Sequence, residues 1–62
     1  APPDTKETFK GLQKQGFSPF EIKQLIGQCV AVEIFNTLKH EEPYNNKRYI
    51  RHLKGLPKEP ND

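Results

Sequence analysis

The chain has 62 residues, a formal charge of +2 and a mean hydropathy of −0.91, which allows one small domain. No apolar run reaches the roughly 20 residues that cross a bilayer. The single cysteine, Cys29, excludes an internal disulfide and any multi-cysteine metal site.

Ala1 to Pro3 read as a disordered lead-in, because two prolines oppose helix there. The helical domain is expected over residues 4–56. Asp4 and Glu7 have the spacing of a capping pair, so a first helix is expected from Thr5. Phe9 and Leu12 are its apolar contribution. Gly16 suits the left-handed residue that ends it. Only Gly16, Phe17 and Ser18 then remain as connection, so the first two helices must be spatial neighbours.

The next boundary is the clearest in the chain. Ser18 is a good N-cap, and Pro19 falls at the first helical position, where its missing N–H costs nothing. Glu21 completes a capping box with Ser18, and Phe17 and Ile22 have the spacing of a hydrophobic staple. A long helix is expected from Pro19 to Lys39 or His40. Cations in that last turn suit the negative end of the helix dipole. Ile22, Ile26, Val30, Ile34 and Leu38 form a row at a spacing of four, flanked by Leu25, Cys29, Val32 and Phe35. That row predicts a wide core-facing side. Gly27 weakens the middle, and a break there would give four helices in place of three.

Pro43 bars helix, and Asn45 or Asn46 can cap a third helix reaching about Lys54. Tyr49, Ile50 and Leu53 are its apolar side. Gly55 reads as its stop, with Leu56 folding back onto the helix. Residues 57–62 read as a disordered tail. The fold expected is therefore all-α, a small three-helix domain. Its expected core is Phe9, Leu12, Phe17, Ile22, Leu25, Ile26, Val30, Ile34, Leu38, Ile50 and Leu53.

The chain contains no methionine. It is expected to follow a removed initiator or to be a fragment of a larger protein, and the proline-bearing ends favour the fragment. Nothing in it resembles a signal peptide. A lone cysteine in an apolar context reads as a small buried hydrophobe and fits an intracellular compartment, cytoplasm or nucleus/nucleoid.

Catalytic chemistry finds little footing. His40 and His52 stand beside basic residues, Ser18 is used as a cap, and Glu41 and Glu42 lie on a turn. There is no glycine-rich phosphate loop and no spacing for metal ligands. No enzyme activity and no cofactor are expected.

Charge is more informative. Lys47, Arg48, Arg51, Lys54 and Lys58 put five cations and no acid between Tyr44 and Lys58. Lys47, Arg51 and Lys54 share one helical face, with Arg48 and His52 beside it. Tyr44, Asn45 and Asn46 add groups of the kind that contact phosphates. The plain alternative is a solvated outer face, since Lys and Arg often cover a small core with their stems.

Two resemblances deserve comparison. Glu21 to Gly27, EIKQLIG, is similar to the first helix and turn of a helix-turn-helix. That motif needs a small residue where Lys23 stands and apolar residues where Gln28 and Glu33 stand. Gly16-Phe17-Ser18 with the later AVEIFNTL resembles ubiquitin-associated domains over part of the chain. The loop between the second and third helices of that family is not evident here, so no residues carry over.

The leading expectation is a non-enzymatic, regulatory module that binds nucleic acid through backbone contacts from the basic third helix. The site would comprise Lys47, Arg48, Arg51, His52, Lys54 and Lys58, which could equally meet an acidic protein surface. The competing expectation is a protein-interaction or homodimer module, with Phe20, Val32 and Phe35 as contacts. No membrane partner is expected. A surface dominated by the basic helix favours the first, and one dominated by an apolar groove favours the second.

Overall fold

A computed structural model describes residues 3–60; the expectations for Ala1, Pro2, Asn61 and Asp62 lie outside them. Three helices follow in order: α1 Pro3–Lys14, α2 Pro19–His40 and α3 Asn46–Gly55. Each packs on the other two. No helix among the described residues is long and apolar enough to cross a membrane.

The helix ends follow from local chemistry. α1 takes in Pro3, two residues ahead of the expected start, because proline is tolerated in a first turn whose N–H groups are unpaired anyway. It closes in a Schellman turn. Gly16 adopts φ 102°, its N–H donates to the Gln13 carbonyl at 3.0 Å, and the Phe17 N–H donates to the Leu12 carbonyl at 3.1 Å. At the start of α2 the Glu21 N–H donates to Ser18 Oγ at 3.2 Å, and the Ser18 N–H donates to Glu21 Oε1 at 2.8 Å. That is the expected capping box, and Ile22 beyond it is fully buried.

α2 then runs unbroken through Gly27 to His40. The four-helix alternative is therefore not realised. Neither is the turn of a helix-turn-helix, nor the inter-helix loop of a ubiquitin-associated domain. Glu41 ends α2 in the left-handed conformation at φ 51°. Asn45 caps α3, its Oδ1 accepting from the Arg48 N–H at 3.0 Å. Gly55 is the last helical residue of α3, and Leu56 turns back into the core.

The core consists of Leu12, Ile22, Cys29, Tyr49, Leu53 and Leu56, with Phe9, Phe17, Leu25 and Ile26 packed against it. Thr5 Oγ1 and the Tyr49 hydroxyl, 3.0 Å apart, tie α1 to α3.

The expected core needs correction in the second half of α2. Val30, Ile34 and Leu38 are exposed, and Ile50 is only half-buried. The reason is helical geometry. A row spaced by four gains about 40° per step on a helix of 3.6 residues per turn, so it spirals around the axis. The side that stays against α1 and α3 must alternate steps of four and three. It runs Ile22, Ile26, Cys29, Glu33 and Asn36, of which only Ile26 is more than slightly exposed. By Leu38 the row of four has turned to the opposite side.

Candidate interaction surface

Two surfaces deserve comparison, the basic face of α3 and the outer face of α2. On α3, Lys47, Arg51 and Lys54 are exposed on one side, and Lys58 is exposed just beyond the helix. The other two expected members are placed differently. His52 is buried. Arg48 turns inward: its Nε and Nη2 donate to the Glu33 carboxylate at 2.7 and 3.1 Å, and Nη1 lies 3.6 Å from Glu42. The paired side chains of Arg48 and Glu33 are only 13% and 5% exposed.

The polar groups before α3 are also engaged. Asn45 is the cap, and the Tyr44 hydroxyl donates to Asn46 Oδ1 at 2.9 Å. Lys47, Arg51, Lys54 and Lys58 are the exposed cations of this region, with the acid Glu59 beside Lys58.

The outer face of α2 is apolar at Phe20 and from Val30 to Leu38, with the exposed polar residues Lys23, Gln24 and Gln28 between. Phe20, Ile34, Phe35 and Leu38 are 70%, 56%, 59% and 75% exposed, and Val30 is exposed too. Val32 is half-buried. Gly27 and Ala31 lie exposed between them, and a Cβ built on Gly27 would meet nothing within 4 Å. The Lys39 ammonium sits 5.3 Å above the Phe35 ring.

Two grooves border this face. One, of about 460 Å³, is walled by Val30, Ile34, Leu38 and Tyr44, with Glu33 and Tyr49 below. The other, of about 290 Å³, lies between Ala31, Val32, Phe35 and Asn36. Asn36 is held there by donating to the Val32 carbonyl at 2.9 Å. Tyr44 stands over its groove with its ring 6.2 Å from that of Tyr49. Partial desolvation, then Tyr49 and Glu33 nearby, push its phenol above the ordinary value.

Cys29 is fully buried in the core, as its apolar context suggested. Desolvation pushes its thiol above the ordinary value, with its own backbone N–H acting the other way. A raised thiol pKa with no solvent access makes an inert group. Among the described residues, no three His, Cys, Asp or Glu side chains gather as metal ligands.

Sequence reading had singled out Phe20, Val32 and Phe35 on this face but had assigned Val30, Ile34 and Leu38 to the core. The available signal was that residues 29–38 place apolar side chains on more than one side of α2, which a helix packed on one side only does not need. Compared with models of known families, with curated proteins and with solved structures, the chain matches none.

Proposed function

We propose that this chain is a non-enzymatic protein-interaction module, and that the outer face of α2 is where a partner helix docks. The observation carrying this reading is the exposure of Ile34 and Leu38 in one line with Phe20, bordered by an apolar groove. A contiguous apolar surface rimmed by polar residues is what protein interfaces present. Paired ridges and grooves on an α-helix suit a second helix laid along it.

The test is a chemical-shift titration with a designed amphipathic helical peptide. The expected shifts centre on Ala31, Ile34 and Leu38. Shifts that avoid this face up to millimolar peptide overturn the reading.

Nucleic-acid binding stands as a second reading, supported by Lys47, Arg51 and Lys54 on one exposed face. Its affinity would come from counterion release at a few phosphates. Replacing Arg51 and Lys54 by Gln is then expected to weaken binding to any sequence alike. It should also reduce the slope of log K against log salt by roughly 0.7–0.9 per lost contact. A slope unchanged in the double variant removes this reading.

A further inference from the structure

We infer that the helix docking on α2 is α2 of a second copy of this chain, laid antiparallel so that the two-fold axis passes near residues 29 and 30. The inference rests on the reading of α2 as a docking surface and names its occupant. Three observations point to a second copy.

The first is the layout of the exposed stripe. Leu38 lies eighteen residues after Phe20, about five whole turns, so the two side chains leave the helix in the same direction. Gln24, Gly27, Ala31 and Ile34 lie within about 40° of that line, with Lys23 at about 60°. The stripe therefore has a large apolar residue at each end and small residues near its midpoint. A two-fold contact must be self-complementary, each patch meeting a different patch of its copy. Antiparallel pairing brings Phe20 of one protomer to Leu38 and Tyr44 of the other, beside the 460 Å³ apolar groove. Gly27 and Ala31 meet their counterparts at the centre, where a missing or single-carbon side chain lets two backbones approach.

The second is charge. Glu21 and Lys39 each lie nine residues from residue 30 and project from the same edge of α2. In an antiparallel pair, like edges face one another. Glu21 of one protomer is thus set opposite Lys39 of its partner, twice per dimer. A parallel two-fold pair sets unlike edges together, so Glu21 and Lys39 lose this opposite-charge register.

The third is the balance of apolar side chains. Among the described residues, six large apolar residues are exposed and six apolar residues form the buried core. Five of the six exposed residues, all but Tyr44, lie on α2, so packing them is a matter of covering this one helix. A copy of α2 supplies that packing without any other partner.

The experiment combines mass with cross-linking on the 62-residue chain. Sedimentation equilibrium is expected to give twice the 7.2 kDa protomer mass at high concentration. Ile34→Asp and Ala31→Arg are expected to return it to one protomer with an unchanged helical circular dichroism spectrum, since both sites are exposed. Mild oxidation of a mixture of Phe20→Cys and Leu38→Cys chains is expected to give a disulfide between the two variants and little within either alone. Cys29 is buried and stays out of the exchange.

A wild-type chain that stays at one protomer mass up to millimolar concentration overturns the inference. So does a dimer that survives Ile34→Asp, or one in which Phe20→Cys cross-links to itself. The peptide titration separates the two levels. A monomer that still binds the amphipathic helix at Ile34 and Leu38 loses the second copy as occupant and keeps the docking surface. A monomer that binds no helix there loses both.

Discussion

Arg48 and Glu33 join α3 to α2 through a two-pronged ion pair that water barely reaches. Such a pair adds little net stability over apolar residues of the same size, yet losing one partner strands a buried charge at a cost of about 3–5 kcal/mol. A core this small supplies about 3–5 kcal/mol in all. Arg48→Ala is therefore expected to leave the chain largely unfolded by circular dichroism at 25 °C. Glu42→Ala removes only the longer, half-exposed contact and is expected to shift stability by under about 1 kcal/mol. Similar urea midpoints for the two variants would show that Arg48 is a surface cation after all. The large difference expected is what separates a structural arginine from a phosphate ligand.

At the scale of the element, both ends of α2 are set by single residues. Ser18→Ala removes the acceptor of the Glu21 N–H and is expected to cost about 1 kcal/mol in urea unfolding. An unchanged midpoint would mean that the capping box contributes nothing. Glu41 works in the opposite direction. It holds φ 51°, a conformation that costs an L-residue with a side chain roughly 1–2 kcal/mol. Glycine adopts it freely, and part of that gain is lost to the greater freedom of glycine in the unfolded chain. Glu41→Gly is expected to raise the unfolding midpoint by an amount equivalent to about 0.5–1 kcal/mol. A lower midpoint would show that the Glu41 side chain makes a contribution larger than its strain.

Taken whole, the molecule divides α2 between two tasks, with one side packed on α1 and α3 and the other left apolar and exposed. Replacing Ile34 and Leu38 together by Gln is expected to change monomer stability by no more than about 0.5 kcal/mol, the usual limit for surface positions. Thermal unfolding in dilute solution checks this. A loss of 2 kcal/mol or more, of the order that truncating a core leucine costs, would return these residues to the core.

The sequence by itself determined the local events: the helix boundaries, Gly16 as the stop of α1, the capping box at Ser18 and the asparagine cap of α3. Each depends on groups within a few residues of one another, so spacing along the chain is enough to read it. Which side of α2 faces inward was decided only by tertiary packing. Two rows share that helix, the apolar one spaced by four and one alternating steps of four and three that ends in Glu33 and Asn36, and hydrophobicity along the chain favours the wrong one. The docking of α1 and α3 selected the row that stays straight along the axis. The same docking brought Arg48 across fifteen residues of chain to Glu33, which removed a cation from the expected basic face. It also buried His52 and left Val30, Ile34 and Leu38 outside, because a helix interface follows the 3.6-residue period and carries only the side chains that keep to it.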